Sequence, residues 1–205
     1  MQTQTKDSQA QLTPQAALNL LKDGNQRFLD QQMTSRDLTA QVAATSTGQY
    51  PFACVLGCID SRVPSELVFD QGIGDIFNVR IAGNFVNTDI LGSMEFACKV
   101  AGSKVIVVLG HSSCGAVKGA CDKVELGNLT AMLSNFDAVL DAVDYSGDRS
   151  SQNTEFVDLV TEKNVHATID KIKADSPVLR EMHDQGAIDI VGAIYDVASG
   201  KVNFL

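Results

Sequence analysis

The sequence predicts an α/β fold with a mainly parallel β-sheet flanked by helices, an antiparallel C-terminal strand addition and an N-terminal helical arm. Short runs rich in apolar residues, at 52–56, 75–81 and 105–109, alternate with segments of helical periodicity. The run VIVVL at 105–109 is apolar on both faces, as buried parallel strands are. A last apolar segment, 188–205, is interrupted by a Ser-Gly pair, which indicates a hairpin turn.

The N-terminal part of the chain is predicted to be an arm. Residues 1–11 are rich in Gln, Thr and Ser, so we expect them to be disordered or loosely attached. A helix is predicted from Pro14, and a second, short helix near 37–46. Because these helices precede every strand, they are expected to pack against a neighbouring subunit. We therefore expect a single domain overall, with an arm at 1–50 and an α/β unit at 51–205.

Further helices are predicted between and after the strands. The segment 89–101 carries an apolar stripe with a period of about 3.6 residues, which predicts an amphipathic helix. A polar break near Tyr145 separates the last two long helical patterns. The predicted helical segments are 61–70, 89–101, 112–121, 126–143 and 152–174.

Composition narrows the classes of partner and location. The chain has 16 Lys and Arg residues against 25 Asp and Glu, a formal net charge of −9. This charge disfavours nucleic acid and anionic membrane surfaces as partners. No apolar run approaches the about 20 residues that a membrane span needs. The polar start lacks a hydrophobic leader, which predicts a cytoplasmic location, or a periplasmic one if a signal peptide precedes this sequence.

The five cysteines also carry information about the compartment. An odd number in a chain of 205 residues does not suggest a disulfide framework. We therefore expect a reducing compartment, with some thiols free to bind a metal. Cys54 and Cys98 lie in apolar strand and helix patterns and are predicted to be core thiols.

Reactive side chains follow two of the predicted strands at the points where the strands end. Cys58, Asp60 and Arg62 follow the first strand, and alternate residues of an extended segment face the same way. His111 and Cys114 follow the VIVVL strand and are three residues apart, so they share a face at a helix start. Ligands of open α/β sheets bind at these carboxyl ends. The five residues are therefore expected to lie together.

The residue types indicate a metal site. Two thiolates and one imidazole, from Cys58, Cys114 and His111, suit zinc, and three protein ligands leave a fourth position open, as in catalytic zinc sites. Asp60 and Arg62 beside them make a carboxylate–guanidinium pair. Each residue alone has an ordinary explanation as a buried thiol or an ion pair. The occurrence of all five residues after two neighbouring strands predicts a catalytic zinc site.

The sequence resembles the β-class carbonic anhydrases. The resemblance implies a zinc lyase that reversibly hydrates carbon dioxide to bicarbonate and a proton by zinc-bound hydroxide, as a homodimer or homotetramer. It assigns the zinc to Cys58, His111 and Cys114 of the 51–205 unit. The resemblance extends from about residue 24 to 121, and a weaker similarity covers 191–205. Its motifs are C-x-D-S-R at 58–62, H-x-x-C-G at 111–115, FDQGIGDIFNVRIAGN at 69–84 and LGSMEFA at 91–97.

The resemblance also implies roles for residues around the metal. Asp60 would accept a hydrogen bond from the zinc-bound hydroxide or, in a closed form, occupy the fourth position itself, and Arg62 would pair with it. Gln49, in G-Q-x-P, matches a glutamine that donates to the substrate. Val55 stands where some members carry a tryptophan of an inhibitory bicarbonate site, which puts such inhibition in doubt.

Alternatives stay open at this point. The same scaffold hydrolyses carbonyl sulfide or carbon disulfide in some relatives. A structural zinc module would need four protein ligands, for which Asp60 is the candidate, since Cys121 is two helical turns from Cys114. A thiol redox pair of Cys54 and Cys58 is disfavoured, because four residues of strand span about 13 Å. Arg80 is interpreted as an ion-pair partner or part of an anion site.

Overall fold

A computed structural model describes residues 3–205, and in this range five strands form one sheet between layers of helices. The strand order is β2-β1-β3-β4-β5, with β1 to β4 parallel and β5 antiparallel to β4. The predicted fold class is confirmed, including the antiparallel addition at the C-terminus. The strands are β1 (Ala53–Gly57), β2 (Ile76–Arg80), β3 (Val105–His111), β4 (Asp189–Tyr195) and β5 (Val202–Phe204).

Helices cover both faces of the sheet. A π-helical turn (Phe96–Val100) continues α5, and a 3₁₀ turn (Ser134–Phe136) joins α7 to α8. The helices are α1 (Lys6–Gln11), α2 (Pro14–Leu29), α3 (Leu38–Thr45), α4 (Ser65–Val68), α5 (Thr88–Glu95), α6 (Gly115–Cys121), α7 (Gly127–Leu133), α8 (Asp137–Asp141), α9 (Thr154–Asp175) and α10 (Pro177–Asp184).

The central strands β1 and β3 are buried along their whole length, because both sheet faces are covered. Alternate residues enter two separate apolar layers. Val55 and Val107 pack with α2 on one face, whereas Leu56 and Ile106 pack with residues of α5 and α9 on the other. Because both strands are held in the core on both faces, their register is fixed, and Gly57 at the end of β1 pairs with Leu109 of β3. The side chains that follow these two residues therefore lie at the same edge of the sheet.

Cys54 and Cys98 are buried in the second layer, as predicted for core thiols. Burial raises the pKa of Cys98 to about 12. Burial and the neighbouring Cys98 raise the pKa of Cys54 further. Both groups are therefore neutral thiols and do not contribute reactive thiolate.

The arm differs from the expectation of a disordered segment over 1–11. Residues 1 and 2 lie outside the described range, but α1 is an ordered helix that begins with a capping box of Thr5 and Ser8. The buried Gln9 side chain donates to the carbonyls of Pro51 (2.7 Å) and Ala101 (2.8 Å). These two bonds attach α1 to the segment before β1 and to the end of the π-helical turn of the same chain, so the prediction of a disordered arm was wrong for the described residues.

The second helix of the arm also packs on its own chain. Ala17, Leu18 and Leu21 of α2 lie in the same apolar layer as β1 and β3. The expectation that these helices pack on a neighbouring subunit is therefore not met for this face of α2. Residues before and after position 50 share one apolar layer, and the division into domains stays a prediction.

Three predicted helices are shorter than expected, and of the segment 112–121 only α6 (Gly115–Cys121) is helical. The segment 61–70 contains only the four-residue α4, because the chain turns at Asp60 to Val63 and Pro64 caps the helix. The segment 126–143 is broken into α7, the 3₁₀ turn and α8. An apolar period alone could not reveal these breaks, which tertiary packing imposes.

Asp70 is a fully buried carboxylate that joins the chain after α2 to the end of α4. It is paired with Arg36 through Oδ1 and with Arg27 through Oδ2 at 2.6 Å. Thr34 donates to Oδ2 from its backbone N–H (3.1 Å) and its hydroxyl (3.0 Å). Burial opposes ionisation, but these donors outweigh it and lower the pKa of Asp70 to about 2.

We expect Asp70→Asn to lower the free energy of unfolding by about 3 kcal/mol at pH 7, because it leaves the buried Arg36 guanidinium without its counter-charge. The folded-state pKa lies below the unfolded value of about 3.9, so this stabilisation is present above about pH 4 and is lost toward pH 2. Urea unfolding at several pH values measures it. Asp175→Asn, in an exposed pair with Lys171, is the control. Equal effects of the two variants at pH 7 would contradict the assignment.

Candidate metal centre

Three candidate ligands lie where β1 and β3 end. Gly57 of β1 is paired with Leu109 of β3, so the residues that follow these positions are neighbours. Cys58 comes directly after β1, His111 is the last residue of β3, and Cys114 is the N-cap of α6. The three side chains therefore converge at the carboxyl edge of the sheet, as the spacing predicted.

The geometry of this group fits a tetrahedral thiolate–imidazole site. The sulfurs of Cys58 and Cys114 are 4.0 Å apart, and the ligand atoms of Cys58, His111 and Cys114 all lie within 4.8 Å of one another. Zinc with bonds of about 2.3 Å to two sulfurs holds them about 3.8 Å apart. The three residues are at most 4 % exposed, and His111 Nε2 has no hydrogen-bond partner in the described chain. A buried ring nitrogen without a hydrogen-bond partner, beside two sulfurs, is the arrangement expected of side chains that bind a metal.

The imidazole of His111 is oriented by backbone. Its Nδ1 lies 3.0 Å from the carbonyl oxygen of Ser112. A proton on Nδ1 satisfies that carbonyl and leaves the lone pair of Nε2 for a metal, the usual arrangement of ligating histidines.

The sulfurs of Cys58 and Cys114 are coupled by a hydrogen bond in which either atom could be the donor. That contact, with contacts to His111 and to backbone, lowers the pKa of Cys58 against the opposing effect of burial. The same contact and burial raise the pKa of Cys114. A divalent cation bound by the two sulfurs would favour the thiolate form of both.

Backbone N–H groups also face both sulfurs. The N–H of Gly83 donates to Cys58 Sγ at 3.3 Å. The first amides of α6, at Ala116 and Val117, interact with the Cys114 sulfur and favour its thiolate. The site therefore supplies thiolate-stabilising donors as well as ligands.

Gly83 has no tolerated substitute at this position. Its φ is +82°, and a Cβ there would lie 2.3 Å from Cζ of Phe136. Its carbonyl accepts from the buried side chain of Asn164 in α9. Glycine is thus needed to bring this N–H against the Cys58 sulfur.

Asp60 and Arg62 form a two-point pair beside the ligands. Arg62 Nε donates to Asp60 Oδ1 (2.9 Å) and Nη2 donates to Oδ2 (2.7 Å), while the Arg62 backbone N–H also reaches Oδ1. Asp60 Oδ2 lies 3.9 Å from His111 Nε2. The guanidinium holds the pKa of Asp60 well below its usual range, despite partial burial. Asp60 is therefore an ionised hydrogen-bond acceptor next to the metal position.

Arg80 has a role that the sequence did not reveal. Its Nε donates to the carbonyl of Cys58 (2.8 Å) and its Nη2 to the carbonyl of Asp60 (2.6 Å). These bonds were not among the roles considered for Arg80, and its interpretation as an ion-pair partner or part of an anion site stays a prediction. The register Gly57↔Arg80 puts this side chain beside the turn after β1. Strand pairing, which the sequence does not state, was the missing signal.

Gln49 is placed apart from these residues within the chain. It is exposed and lies just before β1, whereas Cys58 lies just after it. Five strand residues span about 16 Å. One chain therefore does not bring Gln49 to the metal position, and its assignment stays a prediction.

Cys121 and Val55 lie outside the group that can hold a metal. Cys121 ends α6, is half-buried and is not part of the group that can hold a metal. Burial raises its pKa. Val55 is fully buried in the core.

The fold and this site together define a class of α/β protein: a parallel sheet whose carboxyl edge carries a Cys₂His metal-binding group and a carboxylate–guanidinium pair. The sequence model of the family described as carbonic anhydrase matches residues 53–202. The chain belongs to the β-carbonic anhydrase family, as the resemblance indicated.

Curated relatives and solved structures agree. "Carbonic anhydrase 2" of Mycobacterium tuberculosis is 38 % identical over 194 residues, covering 92 % of this chain and 91 % of the relative. The carbonic anhydrase of Mycolicibacterium smegmatis is 36 % identical over 193 residues, covering 92 % of each chain. A tetrameric β-carbonic anhydrase from Sordaria macrospora has a TM-score of 0.69 and 27 % identity, covering 92 % of this chain and 93 % of its own.

A membrane-spanning element was not expected. Within residues 3–205, no helix combines the length and the apolar character needed to cross a bilayer.

Proposed function

We propose that the protein catalyses the reversible hydration of carbon dioxide to bicarbonate and a proton, with Zn²⁺ held by Cys58, His111 and Cys114. The observation that carries the proposal is the buried Cys₂His group with an ionised Asp60 beside it. Membership of the family and relatives named carbonic anhydrase support it.

Cys58, His111 and Cys114 would hold the zinc, which would act as a Lewis acid and lower the pKa of water at this site toward neutrality. Asp60 contributes a carboxylate that only accepts hydrogen bonds, so it favours an attacking group that still carries a proton. Arg62 keeps that carboxylate charged and fixes both of its oxygens. The backbone donor at Gly83 and the carbonyl of Ser112 hold the ligands.

The surroundings of the ligands suit a small apolar substrate. Cys58 and Cys114 belong to an apolar cluster that includes Phe85, Val117 and Phe136. These side chains give the ligands an apolar environment, which suits a small apolar substrate such as carbon dioxide.

We propose a homodimer or homotetramer, in line with the tetrameric relative from Sordaria macrospora. If Gln49 donates to the substrate, a second subunit must supply it, because Gln49 and Cys58 lie at opposite ends of β1. A cytoplasmic location also remains a proposal.

A purely structural zinc module is less well supported by the geometry. It needs a fourth protein ligand. In the described residues the metal-binding group has three members, and the oxygens of Asp60, the candidate fourth ligand, are engaged by Arg62.

Stopped-flow hydration of carbon dioxide with a pH indicator tests the proposal. We expect zinc-loaded protein to give kcat/KM above about 10⁶ M⁻¹s⁻¹, within the range of efficient enzymes. Because two thiolates formally cancel the charge of the dication, we expect the rate to rise from about pH 7 to 9 instead of reaching a plateau near neutrality.

A parallel assay with carbonyl sulfide and carbon disulfide, read as sulfide release, separates the alternative substrates. We expect sulfide release to be negligible beside carbon dioxide hydration. No acceleration of carbon dioxide hydration by zinc-loaded protein would overturn the proposal, and faster turnover of a sulfur analogue would reassign the substrate.

A further inference from the structure

We propose that Ser112 is a positioning residue for the metal centre: its side-chain hydroxyl attaches the peptide that orients His111 to the turn between β4 and β5. The inference rests on the proposed zinc site. Ser112 does not touch the metal position, and it acts through the imidazole of His111.

The first contact is made by the main chain of Ser112. Its carbonyl oxygen lies 3.0 Å from Nδ1 of His111, so it is the acceptor that sets the tautomer and the ring orientation. Its N–H donates to the carbonyl of Tyr195 at 2.9 Å, which extends the pairing of β3 with β4 by one residue. The orientation of the imidazole therefore depends on how firmly this one residue is held.

The side chain of Ser112 supplies two more bonds. Its Oγ donates to Asp196 Oδ1 (3.2 Å) and accepts from the backbone N–H of Val197 (3.0 Å). Both partners lie directly after β4. The hydroxyl thus joins the segment after β3 to the segment after β4.

The turn that receives these bonds is itself fixed. Asp196 accepts from the backbone N–H of Ala198 (3.0 Å) and from the hydroxyl of Ser199 (2.6 Å). The main chain of Asp196 pairs with Lys201 and Gly200 across the same turn. Ser112 is therefore anchored to a rigid support and not to a free loop.

The backbone directly after Ser112 has an unfavourable conformation, which the hydrogen bonds of Ser112 help to hold. Ser113 has a φ of +54°, a conformation that non-glycine residues seldom adopt. The strained turn lies between His111 and Cys114, two of the three ligands. Without the hydroxyl, one backbone bond to Tyr195 remains to hold the Ser112 peptide before this turn.

We expect Ser112→Ala to weaken zinc binding about tenfold, at the lower end of the effects of removing groups that orient metal ligands. Competition with a chromophoric chelator, under reducing anaerobic conditions at pH 7.5, measures the affinity on the full-length protein. The visible absorption of the Co²⁺-substituted protein is expected to shift, because the imidazole is less constrained. Neither readout depends on turnover.

Two variants make the test specific. Ser112→Thr keeps the hydroxyl and is expected to restore the affinity to within about twofold of the unmodified chain. Ser150→Ala is the matched control, because Ser150 is also half-buried and its hydroxyl donates to a nearby Asp148 (2.9 Å) outside the metal centre. It is expected to leave affinity and spectrum unchanged.

An affinity and a Co²⁺ spectrum of Ser112→Ala equal to those of the unmodified chain would overturn the inference, as would a loss in Ser112→Thr as large as in Ser112→Ala. Failure of the proposed function looks different. In that case the unmodified chain would bind zinc weakly, or would bind it tightly without hydrating carbon dioxide.

Discussion

Replacing Cys114 by Ser is expected to remove tight zinc binding and to lower kcat/KM for carbon dioxide hydration at least about 10³-fold, or about 4 kcal/mol of transition-state stabilisation. A serine hydroxyl stays protonated near neutral pH and does not replace a thiolate on zinc. Cys58 and His111 alone provide two protein ligands, whereas catalytic zinc sites use three. Because serine is nearly the size of cysteine and caps helices well, α6 is expected to form as before.

Zinc content after dialysis, stopped-flow rates and far-ultraviolet circular dichroism measure this result together. Cys121→Ser is the control, since Cys121 is at the other end of the same helix and outside the metal-binding group. It is expected to retain zinc and turnover. Full activity of Cys114→Ser would remove the metal site from the mechanism.

Asp60→Asn is expected to lower kcat/KM about 10²-fold while the protein keeps its zinc. Asparagine has nearly the same shape, but it carries no charge and its amide nitrogen is a donor. Arg62 then loses the anion that it contacts at two points. The Asp60 carboxylate only accepts hydrogen bonds and so orients the attacking group. The asparagine amide can also donate a hydrogen bond, and it can therefore hold the attacking group in an unproductive orientation.

The pH profile adds a second readout for this pair. Since Arg62 keeps the pKa of Asp60 far below neutral, Asp60 does not titrate above pH 5, and the pH dependence in that range has another origin. Asp60→Asn removes this negative charge, so it is expected to lower the rate and to move the midpoint of the profile toward lower pH, because a nearby anion disfavours the ionisation of a neighbouring acid. Asp122→Asn, an exposed carboxylate that accepts from Ser151, is the control. Loss of zinc from Asp60→Asn would instead identify Asp60 as a ligand.

The positions of the metal-binding residues followed from the sequence for a physical reason. Two fully buried strands leave little choice of where they end, and adjacent parallel strands bring their carboxyl ends together. Cys58 and His111 are fixed by those ends. Cys114 was expected to share a helical face with His111, but a turn at Ser112 and Ser113 brings it back, since α6 begins only at Gly115. The Asp60–Arg62 pair was also predicted, but a turn closes it, with the Val63 N–H donating to the Asp60 carbonyl, and not the alternation of an extended strand.

Contacts between distant parts of the chain were the ones that the sequence did not reveal. Arg80 reaches Cys58 only because β2 pairs with β1 in a particular register. The order of α1 depends on Gln9 bonding to carbonyls far along the chain, which a polar composition conceals. Gln49 differs from these residues, because the sequence motif assigned it to the site but the structure of one chain places it at the other end of β1. A sequence motif does not tell which subunit supplies a residue.

Zinc titration of the metal-stripped protein tests the central claim most directly. Carbon dioxide hydration is followed by stopped flow after each addition of Zn²⁺ under reducing conditions. We predict that activity rises in proportion to bound zinc and stops rising at about one zinc per chain, as expected for one Cys₂His site. Hydration by the metal-free protein at the same rate, or a full complement of zinc without hydration, would contradict the account.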